Sequence, residues 1–244
     1  MPSPAPEPRF AKVAAMIGDP TRARMLAALM GGQYLAAGEL AAAAGIGASA
    51  ASAHIAKLID AELVVLRSQG RHRYLRLADA EVAKVLEALS FVAERSAHDD
   101  KWARGAYRPL KAARTCYSHV AGELGVALFE GLLVRETLVP SGGHYALSSR
   151  GRDELAALGV ALPQGDDATD TRRFAHACFD WSERRDHLAG SLAVALFELG
   201  LERDWLRRTA GSRALQLTPP GAQALEPWLG AAAQRSARAA CHCA

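Results

Sequence analysis

Cysteine is scarce in this sequence, with four residues among 244. A chain of this length cannot be held together by so few, widely spaced thiols, so a disulfide scaffold is excluded. We interpret the cysteines instead as reduced thiols or metal ligands. They are Cys116, Cys178, Cys241 and Cys243.

Long hydrophobic runs are also missing. No stretch reaches the roughly 18 consecutive bulky apolar residues that a transmembrane helix needs. The first ten residues carry four prolines where a signal peptide needs an apolar segment. We therefore expect a cytoplasmic protein without a membrane partner.

Much of the apolar fraction consists of small side chains. The chain is 50% hydrophobic, but 52 of its residues are alanine, which favours helices and is depleted in strands. This composition disfavours a large all-β architecture. We expect a mainly α fold with small β-hairpins, of the α+β class, in which the helices pack closely.

The N-terminal part of the chain has the outline of a winged helix-turn-helix. Asp19 and Pro20 are a helix start signal, and the glycines at 45 and 47 mark a turn between two short helices. Strand-like segments on either side of Gly70 indicate a β-hairpin, or wing. The predicted helices are 21–30, 37–44 and 48–61, and the predicted wing strands are 63–68 and 71–77.

The helix predicted after Asp79 carries one apolar stripe. Apolar residues recur there at helical spacing, and a module this small needs a partner to cover them. The stripe therefore indicates dimerisation. Its members are Val82, Val85, Leu86, Leu89 and Val92.

A net charge of +3 is too small to indicate nucleic-acid binding, but the charge is unevenly distributed. From Arg67 to Arg76 the sequence has four arginines, one histidine and no acidic residue. Polar side chains also occupy the third predicted helix, which is placed to enter a major groove. Alternatively, Ser49 only caps its helix and the basic hairpin is a solvated face. The predicted DNA-binding residues are Ser49, Ser52, His54, Lys57, Arg67, Arg71, His72, Arg73 and Tyr74.

Residues 10–95 resemble the ArsR/SmtB family of winged helix-turn-helix transcriptional regulators, in a long form with a C-terminal extension. The residues that carry the resemblance are Asp19-Pro20-Thr21-Arg22, Glu39-Leu40-Ala41, the Ser49, Ser52 and His54 run, and Gly70. The resemblance implies a homodimeric repressor that binds double-stranded operator DNA and is released by an effector.

The metal sites common in that family are absent or incomplete here. The stretch 39–44 carries no thiol, and Asp79 is followed by Ala80 and Glu81 rather than by an Asp-x-His pattern. The resemblance therefore predicts an effector that binds elsewhere or is of another kind.

The C-terminal part contains an internal repeat. Residues 119–133 and 187–201 match at ten of fifteen positions, and each copy is followed by a hairpin-like segment and a further helix start. We expect helix-hairpin-helix units at about 116–160 and 178–230. The predicted domains are 1–98, for DNA binding and dimerisation, and 109–244, for effector sensing.

The extension offers one candidate effector site. Cys116 and His119 are three residues apart and would share one face of a helix. Cys178, Asp180 and His187 complete a set of ligands for a soft or borderline divalent metal ion if the repeats fold together. The alternative is a structural role, because the residue 68 positions after Cys116 is Arg184 and not Cys178. Cys241 and Cys243, on either side of His242, form a second candidate.

Two other functions are compatible with these residues. The effector can be a small organic molecule instead of a metal ion or thiol-reactive species. Alternatively, Cys178, His187 and Asp180 are the nucleophile, base and orienting group of a thiol enzyme. No glycine-rich phosphate loop, nucleophile elbow or zinc-hydrolase motif supports catalysis, so we expect no enzymatic activity.

Overall fold

The computed structural model describes residues 9–70, 72–94, 108–162 and 174–230, except for the side chains of His72 and Glu94. The chain divides into two compact units, Met1–Leu86 and Glu87–Ala244. The predicted domain boundary falls between 98 and 109, and residues 99–107 of that stretch lie outside the described residues. The unit boundary falls within a helix whose second half belongs to the C-terminal unit.

The N-terminal unit contains four whole helices, the first half of a fifth and a three-stranded sheet among its described residues. Asp19 caps the second helix by accepting hydrogen bonds from the backbone N–H groups of Thr21 and Arg22, at 3.0 and 2.9 Å. The sheet is antiparallel in the order β1-β3-β2. The elements are α1 (Arg9–Ile17), α2 (Pro20–Leu29), β1 (Leu35–Ala36), α3 (Ala37–Ala44), α4 (Ala48–Asp60), β2 (Val64–Gln69), β3 (His72–Leu77) and α5 (Ala80–Glu94).

Leucine and methionine side chains form the core of this unit. Met25, Leu26 and Leu29 of α2 are fully buried, together with Leu40 of α3 and Leu58 of α4. Gly45 ends α3 in the left-handed conformation that glycine adopts readily, at φ 69°. The helix-turn-helix and the wing predicted from the sequence are both present, with boundaries within one or two residues of the prediction.

The C-terminal unit is built from two copies of one hairpin-helix-hairpin-helix unit, preceded by the short helix α6 (Arg108–Ala112). The first copy contains β4 (Arg114–Cys116), β5 (His119–Ala121), α7 (Gly122–Val134), β6 (Leu138–Ser141), β7 (His144–Leu147) and α8 (Ser149–Leu158). The second contains β8 (His176–Asp180), β9 (Arg185–Ala189), α9 (Ser191–Glu202), β10 (Leu206–Arg208), β11 (Leu215–Leu217) and α10 (Pro219–Ala224).

The leading hairpin of each copy was not predicted from the sequence. His119 and His187, the first residues of the repeated segments, lie in β5 and β9, and the long helices begin three or four residues later. The left-handed glycines Gly122 and Gly190, at φ 79° and 100°, make the change from strand to helix. The expectation that Cys116 and His119 share a helix face is therefore wrong.

The two copies agree in detail. The hydroxyls of Ser148 and Thr218 cap the final helices by accepting from Gly151 N and Gly221 N, at 2.9 and 3.1 Å. Side chains of both copies, including Leu132 and Leu192, form one shared hydrophobic core. This core fixes the two leading hairpins relative to each other.

No single helix among the described residues is long and apolar enough to cross a membrane. The helices α3 and α4 reach the necessary length and hydropathy only when they are counted together, across a bend of 102°.

Candidate functional site

The first candidate surface is the exposed face of α4. Ser49, Ser52 and Lys57 are exposed, whereas Ala51 and Ile55 face the core. Gly47 precedes the helix, and no side chain caps it, so Ser49 is not a cap. The Ser52 hydroxyl donates to Ala48 O at 3.2 Å, which leaves its oxygen lone pairs for an outside donor.

His54 lies differently from its neighbours on α4. Its side chain is 25% exposed, and its Nδ1 is 3.6 Å from Asp19 Oδ1 at the start of α2. The same Asp19 oxygen accepts the capping hydrogen bonds of α2. His54 is thus oriented by the neighbouring helix, and its contact with DNA stays a prediction.

The wing presents its arginines along one hairpin. In the β2–β3 register Arg67 is opposite Tyr74 and Ser68 is opposite Arg73, and both arginines are exposed. The guanidinium groups of Arg67 and Arg76 lie 6.0 and 5.0 Å from the centre of the Tyr34 ring, which was not predicted as a site residue. Arg71 and the side chain of His72 lie outside the described residues.

The second candidate site is the Cys/His cluster, formed by Cys116, His119, Cys178 and His187. One ligand atom from each residue lies within 4.8 Å of the others. Three of the four side chains are buried, and Cys178 is half-buried. The structure therefore brings together the four Cys and His residues of the first candidate effector site.

Strand register explains how the repeats build this cluster. Cys116 pairs with His119 across β4 and β5, and Cys178 pairs with His187 across β8 and β9. Two residues separate the first pair along the chain and eight separate the second, because β8–β9 is the longer hairpin. The two cysteines are equivalent after all. Arg184 is not the equivalent of Cys116, because the longer second hairpin changes the offset between the copies.

The two histidines meet at the centre of the cluster. Their Nε2 atoms are 3.0 Å apart and their rings are tilted by 32°. His187 is 1% exposed and His119 is 9% exposed. Two ring nitrogens at this distance require a proton or a cation between them, since two lone pairs repel each other.

Asp180 lies behind His187 as part of a buried charge network. Its Oδ2 is 3.4 Å from His187 Nδ1 and accepts from Gly122 N at 2.7 Å. Its Oδ1 accepts a hydrogen bond from Arg114 at 2.8 Å. The guanidinium of Arg114 also stacks over the Trp181 ring, 4.5 Å from the ring centre. Neither charged side chain is exposed. Asp180, a candidate ligand and a candidate orienting group in the sequence, is thus not among the converging ligand atoms but contacts His187, which is one of the four.

The charge states follow from these contacts. The hydrogen bond between the thiols, together with burial, raises the pKa of Cys116 well above its ordinary value, and the same bond lowers the pKa of Cys178. Burial opposes protonation of His187, but hydrogen bonds with Asp180 and Cys178 prevail and raise its pKa to about 9. Burial lowers the pKa of His119. Despite burial, hydrogen bonds with His187 and Arg114 keep the pKa of Asp180 low.

Two of the predicted cysteines lie outside the described residues, and one residue of the charge network was not predicted. Cys241 and Cys243 fall outside the described residues. Arg114 was missed, since nothing in the sequence around it distinguishes a buried arginine from an exposed one on a strand. Cys178, His187 and Asp180 lie together, as the thiol-enzyme alternative requires. Cys116 and His119 belong to the same cluster, which that alternative does not use.

Comparison with known proteins gives matches over the N-terminal part and over nearly the whole chain. The model of the helix-turn-helix domain family matches residues 17–67. The uncharacterized HTH-type transcriptional regulator YdfF of Bacillus subtilis (strain 168) is 37% identical over 222 residues, which is 91% of this chain and 97% of that protein.

Two solved structures have shorter likenesses. The homodimeric winged helix-turn-helix DNA-binding domain of Mb0332 from Mycobacterium bovis, a possible ArsR-family regulator, is 28% identical with a TM-score of 0.34, over 37% of this chain and 83% of that one. The cadmium metal-sensor CMTR from Mycobacterium tuberculosis is 36% identical with a TM-score of 0.30, over 34% of this chain and 85% of that one.

Proposed function

We propose that this chain, which belongs to the HTH-type transcriptional regulators, is a homodimeric repressor of the ArsR type that binds double-stranded operator DNA and is released by an effector. The observation that carries the proposal is the pairing of an exposed polar face on α4 with a hairpin whose exposed side chains include Arg67 and Arg73. A helix with such a face fits a major groove, and a basic wing beside it can hold phosphates.

Dimerisation is supported by the apolar stripe on α5. Val85, Leu89 and Val92 follow one another at helical spacing and are 47%, 45% and 53% exposed. Three large apolar side chains on one exposed helix face favour a partner that covers them. The same helix of a second copy presents the same apolar face and can pack against it. A dimer presents two α4 helices to the halves of an imperfect palindrome.

The effector we propose is a soft or borderline divalent metal ion or a thiol-reactive species. Support comes from the Cys/His cluster, whose two thiols and two imidazoles suit such ions. A difference of about 1 to 3 kcal/mol between the effector's affinities for the DNA-bound and free forms is enough to switch a regulator.

The test of DNA binding measures the salt dependence of one complex. A labelled duplex covering the DNA upstream of the protein's own coding sequence is titrated at several salt concentrations, and affinity is followed by fluorescence anisotropy. Affinity should fall steeply with salt. Arg73→Ala should weaken binding and reduce the slope of log affinity against log salt by about 0.9, as expected for the loss of one phosphate contact.

Arg152→Ala is the matched control for Arg73→Ala. Arg152 is exposed on α8, and its removal changes the net charge equally. It should leave both affinity and slope unchanged. Equal effects of the two substitutions, or no salt-sensitive complex at low salt, would contradict the proposed role of the wing.

A further inference from the structure

We infer that the Cys/His cluster is a closed four-ligand site for one zinc-class divalent ion, Zn²⁺ or Cd²⁺, and that Asp180 positions His187 to ligate it. The inference deepens the proposed function, on which it rests only in treating the ion as the effector. Binding of the ion and release of the protein from DNA are measured in separate experiments.

The donor set decides the class of ion. Two cysteine sulfurs and two histidine nitrogens are the ligands of tetrahedral zinc sites, whereas magnesium and calcium prefer oxygen. The donor atoms already lie within 4.8 Å of one another, so only small side-chain movements are needed to surround an ion. Four protein ligands fill a tetrahedral shell and leave no position for a reacting water, which suits sensing and not catalysis.

The neighbours of the histidines fit ligation. A metal-binding histidine usually donates its second ring N–H to a carboxylate, which fixes the ring and its tautomer. In His187 the Nε2 faces the cluster and the Nδ1 faces Asp180 Oδ2 at 3.4 Å. With an ion bound, Nδ1 keeps its proton toward Asp180 and Nε2 is free to ligate.

The charges also balance. Two thiolates neutralise a divalent ion, and the negative charge of Asp180 is compensated by Arg114 at 2.8 Å. A buried charge is tolerated only when it is paired in this way. The ion would replace the proton shared between the two Nε2 atoms, which are 3.0 Å apart in the chain as described.

The strand register gives the site its symmetry. Each repeat contributes one cross-strand Cys and His pair, so neither repeat alone supplies more than two ligands. An ion bound by all four therefore joins the two hairpins. Binding of the ion would therefore stabilise the docked arrangement of the two repeats that the shared core already favours.

The experiment is a cobalt titration of the full-length protein under reducing conditions. Co²⁺ takes the place of Zn²⁺ and reports its surroundings by absorption. We expect one Co²⁺ per chain, with the intense visible bands of a tetrahedral ion and a thiolate-to-cobalt charge-transfer band. Zn²⁺ should then bleach both.

Substitutions locate the ion. Cys116→Ser and Cys178→Ser should each remove the tetrahedral spectrum, while the double substitution Cys241→Ser and Cys243→Ser leaves it intact. The Cys116→Ser and Cys178→Ser variants should also bind the upstream duplex as tightly as the parent and no longer be released by Zn²⁺. Circular dichroism verifies that they fold.

The role of Asp180 has its own matched pair. Asp180→Asn should keep the tetrahedral spectrum at saturating Co²⁺ but weaken binding by about 10 to 100-fold, the usual effect of losing an outer carboxylate. Asp186→Asn, at an exposed position of the same hairpin, should bind as the parent does. Equal affinity of the two variants would overturn the positioning role.

Other outcomes overturn the site itself. A weak octahedral spectrum that ignores the cysteine substitutions, or a spectrum lost with Cys241 and Cys243, refutes an ion at the Cys/His cluster. Tetrahedral binding without release from DNA supports the site and removes its regulatory role. Release by a peroxide, with a Cys116–Cys178 disulfide detected by mass and no Co²⁺ binding, assigns the cluster to thiol oxidation.

Discussion

The two repeats of the C-terminal unit differ most where they meet. In the first, β4 turns back two residues after Cys116, whereas in the second β8 continues to Asp180 before a longer turn. The Cys and His pair is the same in both hairpins. The extra length of the second carries the carboxylate that contacts Arg114 and Gly122 of the first.

The two hairpins therefore contain residues with two different roles. Symmetric positions supply the four candidate ligands, and asymmetric positions hold the repeats together. His176 occupies the register position in β8 that Arg114 occupies in β4, so the buried arginine has no counterpart. Substitutions at symmetric positions should have equal effects in both copies, and substitutions at asymmetric positions should not.

The largest effect is expected from Arg114→Met. The substitution removes the ion pair between Arg114 and the buried Asp180 carboxylate, which should lower the free energy of unfolding by about 3 to 5 kcal/mol. Urea denaturation followed by tryptophan fluorescence measures it, since all four tryptophans lie between residues 87 and 244. Arg108→Met, at an exposed position of α6, is the control, and an equal loss there would remove the asymmetric role.

A smaller and symmetric effect is expected at Gly151 and Gly221. An added Cβ would lie 2.1 Å from Thr137 O in the first copy and 2.3 Å from Trp205 O in the second. Backbone oxygens cannot move aside, so alanine at either position should cost about 2 kcal/mol in the same assay.

Gly230→Ala is the control for both glycine substitutions, because a Cβ at that position meets nothing within 4 Å. It should leave the urea midpoint unchanged. A large loss at only one of Gly151 and Gly221 would mean that the two copies do not share this helix approach.

The smallest effect is expected from Thr137→Val. Trp228 Nε1 donates to Thr137 Oγ1 at 3.0 Å, and the position 68 residues later is Trp205, so this bond belongs to the first copy alone. Valine keeps the shape but leaves the buried indole N–H unpaired, at a cost of about 1.5 kcal/mol. Thr137→Ser retains the hydroxyl and should recover most of the loss, and an equal loss for both would assign the effect to packing.

The helix-turn-helix and the wing could be predicted from the sequence, whereas the two-residue strand β1 could not. Asp19 and Pro20 mark the start of α2, Gly45 marks the end of α3, and Gly70 marks the turn of the wing. Each of these residues acts through local backbone chemistry, which a single sequence displays. The orientation of His54 toward Asp19 was not predictable, since it depends on how α2 and α4 pack.

The candidate metal centre was predicted in its residues and not in its geometry. The spacing of Cys116 and His119 suits one helix face as well as a two-residue hairpin. The turn is made by Tyr117 at φ 60°, without the glycine or asparagine that usually indicates such a turn. The equivalence of Cys116 and Cys178 was hidden by the longer second hairpin, whose extra residues shift the offset between copies.

The shared cluster makes this part of the chain an internal dimer. Where two separate subunits would each lend half of a chelating site, here the halves are covalently joined, and their effective concentration is set by the chain between them. Each half holds only two donors, so an ion gains full coordination only when both copies are folded and docked. Occupancy of the cluster would thus report that both repeats are folded and docked.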